Sequence, residues 1–285
     1  MRATATAPAG TTVDDLPLSA VEGLLERACG LSFSTGVRPA LADAVRRASG
    51  ELGLAREPYL SRLAGGDPAA VTALVEHAVV KETYFYRHPE QWAAVTQQLM
   101  ALPPERPLAA WSAGCATGEE AYTLAMVLHD AGRRGGSDQV LGTDISARAL
   151  EVARAGRYRE WSLRALPVAL RARHFDPEHG ALSVQAARRA PVRFAQHNLL
   201  GAPPPGGPFD LVACRNVLLY FKPDTARAVL GRLHGALRPG GLLLIGPIEE
   251  PLTAGLPFER LAGTGATLLR RPVADRGATR GAASP

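Results

Sequence analysis

Residues 108–120, LAAWSAGCATGEE, restrict this chain most, because an apolar run there breaks into glycine and small residues just before a helical pattern begins. A strand entering a helix through a tight glycine turn is the ligand-binding corner of an open α/β sheet. The helix start presents unpaired N–H groups, and the strand end opens on a crevice. Gly114 and Gly118 read as positions where the backbone approaches a ligand and a Cβ would collide. The same spacing also describes an ordinary tight turn. Asp144 sharpens the reading: it ends the next apolar run, QVLGTD, where a carboxylate can accept both hydroxyls of a ribose. An adenosine-containing ligand is therefore the one to expect.

Downstream, apolar runs alternate with helical patterns, as a parallel sheet requires. Strands are expected near 108–113, 139–144, 192–196, 210–214 and 241–246, with helices near 118–131, 146–155 and 223–236. Arg238-Pro239-Gly240-Gly241 reads as a helix stop with a turn into the next strand. Phe258–Leu261 and Ala266–Arg270 are expected to pair as a hairpin on an antiparallel edge. Residues 156–191 are too long for a loop and read as an inserted subdomain with its own short helix and strands. Its arginines, Arg157 to Arg189, make it either a cationic cover over the crevice or a solvated appendage.

Residues 14–80 read as a small all-helical domain, with helix stops at Gly30 and Gly50. Residues 81–92, KETYFYRHPEQW, join it to the α/β part at 93–273 and are dense enough in aromatics to pack over something or to seal a hinge. Pro89 belongs in the first turn of the helix that follows. Residues 1–13 and 274–285 are rich in Ala, Thr, Pro and Gly and read as disordered tails. A chain of 285 residues with 46% hydrophobic content can bury one large core and a small one.

The net charge of +5 is almost wholly arginine, since Lys81 and Lys222 are the only lysines. No aromatic and basic residues interleave as base-stacking surfaces do, so no nucleic-acid partner is expected. Arg38, Arg46 and Arg47 share a helix with apolar Val37, Leu41, Ala44 and Val45; this is a solvated cationic side or a docking face for an acidic partner, and the sequence leaves both open. The three cysteines lie far apart, so neither a disulfide framework nor a zinc site is indicated. The seven histidines show no metal spacing, and His174 and His179 are placed on the surface of the insertion. No stretch approaches the ~20 apolar residues of a membrane span, and no signal-peptide run is present, so a cytoplasmic chain without membrane insertion is expected.

Five stretches then fall in a recognisable order: KETYFYR at 81–87, WSAGCATGEEAYT at 111–123, GTDIS around Asp144 with A-x-x-G-x-Y at 153–158, NLL at 198–200, and FDLVACRNVLLYF at 209–221. From about Pro17 to Arg271 the chain resembles the chemotaxis receptor glutamate O-methyltransferase family, the CheR type. The resemblance implies a Rossmann-like α/β sheet of the S-adenosylmethionine-dependent methyltransferase kind, with a small N-terminal helical domain and a small inserted β-containing subdomain. It also implies S-adenosylmethionine as cofactor, S-adenosylhomocysteine as product, and transfer to glutamate side chains on the cytoplasmic helices of methyl-accepting chemoreceptors. Other chemosensory proteins are further partners on the same ground.

Carried over by position, the resemblance puts Lys81, Thr83 and Arg87 toward the methionine end and Gly114 in the cofactor turn. Glu120 falls at the amino group, Asp144 at the ribose, Asn198 and Leu199 at the adenine, and Arg215 and Asn216 at the cofactor on its substrate side. Arg87 and Tyr220 fall where the acceptor carboxylate is oriented. A glutamate carboxylate, with a reference pKa of ~4.3, is ionised at neutral pH, so no general base is required. Lys81 stands where the motif has Asn, and GPIE at Gly246–Glu249 where the family has GHSE. Those departures motivate an alternative, a regulatory or scaffolding module that binds cofactor and transfers nothing. A nicotinamide dehydrogenase is disfavoured because the turn lacks G-x-G-x-x-G. The compact stretch between Phe175 and Val192 points to a member that needs no C-terminal receptor peptide.

Overall fold

A computed structural model describes residues 18–32, 38–133, 136–261 and 267–273. The tails expected at 1–13 and 274–285, and Val37, lie outside the described residues. The chain divides into two compact units, Met1–Val79 and Val80–Pro285.

The first unit holds four helices, α1 (Leu18–Cys29), α2 (Arg38–Glu51), α3 (Arg56–Ala64) and α4 (Pro68–Ala78). Helix α1 stops where expected, at Gly30, whose φ is 80°. Helix α2 does not stop at Gly50 but runs through it to Glu51, and Gly53 takes the left-handed conformation instead, with φ 65°. A glycine inside a helix is tolerated where its neighbours are packed, and Leu41, Ala44, Val45 and Ala48 are all buried. On the outer side the Asp43 carboxylate meets both Arg46 and Arg47, the latter at 2.6 Å, which partly neutralises the cationic face. Helix α4 is started by Asp67, whose side chain accepts from Ala69 N at 2.9 Å, and by Pro68 in the first turn.

The second unit follows the alternating plan. Its elements are α5 (Pro89–Met100), β1 (Ala109–Ala113), α6 (Glu119–Asp130), β2 (Gln139–Asp144), α7 (Ala147–Ala155), β3 (Arg157–Tyr158), α8 (Glu160–Leu163), α9 (Val168–His174), β4 (Phe175–Glu178), β5 (Ala181–Val184), α10 (Ala186–Arg189), β6 (Val192–Gln196), β7 (Phe209–Cys214), α11 (Pro223–Ala236), β8 (Leu237–Ile245), β9 (Glu259–Arg260) and β10 (Leu268–Arg270). The large sheet has the order β6-β2-β1-β7-β8-β10-β9, parallel from β6 to β8, with β10 antiparallel to both β8 and β9. Its central strands are covered on both faces, and their side chains divide between two cores with period two. Ala110, Leu211, Ala213, Leu242 and Leu244 join one core, while Trp111, Ala113, Val212, Cys214, Leu243 and Ile245 join the other.

Arg238–Gly241 is not a turn before the strand but part of it, because β8 begins at Leu237. The pairing with β7 shifts register between Phe209 and Leu211, and Gly240 adopts φ 79° in the irregular stretch. A bulge uses the same Pro and Gly residues as a turn, so the two look alike in sequence.

The insertion forms its own antiparallel sheet, β3-β5-β4. The aromatic segment before α5 packs onto it: Phe85 meets Tyr158 and Phe175 edge-on at 4.8 and 4.9 Å, and Phe85 N donates to Ser162 O at 2.9 Å. His174 is fully buried rather than on the surface. Its Nε2 bonds Asp130 Oδ2 at 3.1 Å and its Nδ1 accepts from Arg188 Nε at 3.1 Å, while His129 bridges the same two residues through Nδ1 at 3.2 Å and Nε2 at 2.7 Å. His129, Asp130 and His174 are the one group among the described residues close enough to hold a metal ion. A guanidinium only donates, however, so both outer ring nitrogens must be bare, whereas a metal bound on the Asp130 side requires them to carry protons. The group is therefore a hydrogen-bonded seat that joins the insertion to α6. Among the described residues no helix is long and apolar enough to cross a membrane.

Candidate active site

The carboxyl ends of β6, β2, β1, β7 and β8 lie side by side, and β1 has β2 on one flank and β7 on the other. This is the point where the strand order reverses, at which open α/β sheets form a crevice. Thr143 O accepts from Gly114 N and Cys115 N, both at 2.8 Å, which ties the turn after β1 to the end of β2. Asp144 is fixed by two amides: Oδ2 accepts from Ala116 N at 2.8 Å and Oδ1 from Ser146 N at 2.9 Å. Each oxygen has further acceptor capacity for a hydroxyl. The turn after β6 is set by Asn198, whose Oδ1 accepts from Leu200 N at 3.0 Å, and Leu199 is half-buried against the core beside it.

Packing within the chain itself calls for both glycines. A Cβ on Gly114 would lie 2.6 Å from Val217 Cγ2, and one on Gly118 would lie 2.7 Å from Ala153 Cβ and 3.0 Å from Tyr158 Oη. Their φ values, 81° and 95°, are also left-handed. The chain's own packing and backbone thus call for glycine at both positions, and no ligand approach is required to explain them.

Glu120 and Arg215 form the polar floor. Glu120 Oε1 accepts from Ser112 Oγ at 2.8 Å, and Oε2 lies 3.6 Å from Arg215 Nη1. Arg215 is buried, donates from Nε to Gln91 Oε1 at 2.8 Å and from Nη2 to Arg87 O, and stacks over Trp92 at 4.8 Å. Gln91 is itself fixed by donating to Ile245 O at 2.8 Å. Burial pushes the Glu120 carboxyl up, with the Arg215 charge and the Ser112 hydroxyl opposing, and burial pulls Arg215 down. Glu119 points elsewhere: it accepts from Thr117 Oγ1 at 2.6 Å and Ser162 Oγ at 2.8 Å, bonding the turn to the insertion. Sequence reading missed Gln91, Trp92 and Ser112, although Gln91 lies only four positions after Arg87, in the first turn of α5.

Arg87 and Tyr220 stand at the outer side. Arg87 Nη1 makes a long 3.4 Å bond to Glu82 O and its guanidinium lies 5.7 Å from the Tyr84 ring, with no carboxylate within ion-pair distance among the described residues. Tyr220 closes a short 3₁₀ turn, Leu218–Tyr220. Burial raises its phenol, the positive charge of Arg87 opposes, and the negative charge of Glu249 reinforces, so both charges act on it. Lys81 and Thr83 are half-buried on the segment that carries Arg87. Of the non-glycine residues with positive φ among the described residues, Tyr86, His88, Ala116 and Asn216 belong to these loops, a concentration of strain typical of functional sites. Asn216 Oδ1 is buried and has no hydrogen-bond partner. Glu249, in the loop whose role the altered GPIE put in question, is fully buried and, among the described residues, accepts only from backbone amides.

Residues 81–263 match the family described as CheR methyltransferase, SAM binding domain. This chain belongs to the CheR methyltransferase family. It is 37% identical over 241 residues to a probable biofilm formation methyltransferase, WspC, of Pseudomonas aeruginosa, covering 81% of this chain and 56% of that one. It is 30% identical to chemotaxis protein methyltransferase 1 of the same organism, covering 79% and 86%, and 36% identical to a chemotaxis protein methyltransferase of Klebsiella aerogenes, covering 62% and 63%. The chain spans about half the length of the biofilm relatives, 56% in Pseudomonas aeruginosa and 46% in Pseudomonas putida.

The cofactor of this family domain is S-adenosylmethionine, and the donor set suits it. Asp144 has acceptor capacity for a diol, Glu120 is an acid buried where a cationic amine would neutralise it, and Asn216 Oδ1 is a buried acceptor without a donor.

Proposed function

We propose that this chain transfers the methyl group of S-adenosylmethionine to glutamate side-chain carboxylates on the cytoplasmic helices of chemoreceptors, forming methyl esters. When bound, the cofactor supplies a methyl group made electrophilic by the sulfonium to which it is attached. Asp144 holds the ribose, Asn198 and Leu199 flank the adenine, and Glu120 meets the amino group. Lys81, Thr83, Gly114, Arg215 and Asn216 complete the cofactor side, and Arg87 and Tyr220 face the acceptor.

The observation that carries this reading is the guanidinium of Arg87, which has one long bond to a carbonyl and no carboxylate within ion-pair distance among the described residues, and whose charge is felt by the Tyr220 phenol. A carboxylate is the acceptor such a pair fits: Arg87 can fork one oxygen and Tyr220 can donate beside it, which strips water and leaves the other oxygen aimed inward. No proton has to be removed from an acceptor already ionised at neutral pH, so orientation supplies most of the rate, up to about 7–11 kcal/mol in favourable cases. The names of the relatives support the same reaction class.

The test is a radiolabelled methyl-transfer assay with a receptor cytoplasmic fragment, the label being released by mild base if it is an ester. Tight binding of S-adenosylhomocysteine with no labelled receptor would instead support the regulatory or scaffolding module.

A further inference from the structure

We infer that Glu249 is the positioning residue that holds Tyr220 and Asn216 in their working places; this rests on the reading of Tyr220 as an acceptor-side residue. The Glu249 carboxylate gathers five backbone amides. Oε1 accepts from Val217 N and Leu218 N at 2.8 Å and from Leu219 N at 3.3 Å, and Oε2 accepts from Gly246 N at 2.7 Å and Asn216 N at 3.0 Å. Three of those donors are the otherwise unpaired N–H groups at the start of the turn that ends in Tyr220. A carboxylate from the loop after β8 thus caps a turn in the loop after β7.

The space for it is built in. A Cβ on Gly246 would lie 2.6 Å from Glu249 Oε2 and 3.2 Å from Asn216 N, so glycine is what admits the carboxylate. Among the described residues no side chain pairs with Glu249 in an ion pair, so its charge is spent on the loop amides. Leu218 is buried in the core beneath, whereas Leu219 and Tyr220, which follow it, are exposed and half-buried. The turn is therefore pinned at its base by packing and at its start by Glu249, and the Tyr220 hydroxyl has its place set by both. On the other side of the same carboxylate, Asn216 is held at φ 58°, which keeps its side chain at the site with a free acceptor. The GPIE loop keeps both the glycine and the glutamate that this job requires.

Glu249→Gln is close in shape but presents one amide NH₂ to backbone donors, while Glu249→Asp keeps the charge and falls a methylene short. With the full chain and a receptor fragment, Glu249→Gln should lower kcat about 10²-fold, as a displacement of roughly 1 Å at a reacting group does. The deciding measurement is a cycle with Tyr220→Phe. If Glu249 acts through Tyr220, most of its effect on kcat disappears in the Tyr220→Phe background, since residues acting as a unit are not additive. Multiplicative effects in the cycle, or an unchanged kcat, overturn the inference. Should Glu249→Gln fail to bind S-adenosylhomocysteine as a folded protein, Glu249→Asp carries the same cycle; failure of both to fold also overturns it, by making Glu249 a requirement of the fold. A wild-type chain that labels no receptor would sink the methyl-transfer reading itself, an outcome visible before any variant is made.

Discussion

Arg87 and Arg215 occupy one corner and carry the same charge, yet the chain treats them differently. Arg215 is buried, stacked on Trp92, bonded to Gln91 and faced by Glu120, so it is a fixed part of the floor. Arg87 has a single long bond to a carbonyl and an aromatic neighbour, and no acid opposite it among the described residues. A guanidinium left that way is poised for an anion that arrives from outside. Arg87→Ala is therefore expected to lower kcat about 10²-fold while the Kd for S-adenosylhomocysteine changes by less than about threefold. Steady-state kinetics with a receptor fragment, paired with calorimetry, checks this. Loss of affinity with turnover unchanged would make Arg87 a cofactor ligand only. The sequence showed Arg87 through its motif but could not show Glu249 at work, because four of that residue's five partners are backbone amides some thirty positions earlier, and amides carry no side-chain signature.

At the scale of elements, the strands were legible because each is a short apolar run that must fill two cores, and a parallel strand covered on both faces has no other way to read. Boundaries were less so. Gly50 lies inside α2 and Arg238–Gly241 inside β8, since the same residues serve helix interior, bulge and turn. The burial of His174 was invisible for another reason: its partners, Asp130 on α6 and Arg188 on α10, are remote in sequence.

That seat gives the insertion a pH dependence. Burial holds His174 below the ordinary histidine pKa, with Asp130 opposing and Arg188 and His129 reinforcing. The charged and titratable groups facing it are Asp130 and His129 on α6, Arg173 on α9, Arg188 on α10 and the Tyr86 phenol, which burial pushes up and out of the working range. Below about pH 6.5 the unfolded chain binds the proton first, so stability is fully present above that pH and declines as pH falls toward the lower folded value. Glutamine can donate to Asp130 and accept from Arg188 without titrating. His174→Gln should therefore flatten the fall in Tm between pH 7.5 and 5.5, and parallel curves for both proteins would mean that His174 does not couple to folding.

For the whole molecule, the question is which part of the chain the cofactor site needs. Every residue assigned to the site lies at or after Lys81, and neither hydrophobic core of the second unit includes a residue before Phe85. A unit that closes its own cores can be expected to keep its crevice when the helical unit is removed. The helical unit has a core of its own, with Tyr59 buried and bonded to Ala70 O at 2.9 Å. A chain beginning at Val80 should bind S-adenosylhomocysteine with a Kd within about threefold of the full chain, since every residue proposed to hold the ligand is retained. Calorimetry on the two proteins decides the matter. A loss beyond about tenfold, roughly 1.4 kcal/mol, would mean that residues 1–79 contribute directly to the cofactor site. Retained binding would assign the helical unit a role other than holding the cofactor, and its Arg46 and Arg47, only partly neutralised by Asp43, would be the first residues to examine for contact with an acidic receptor surface.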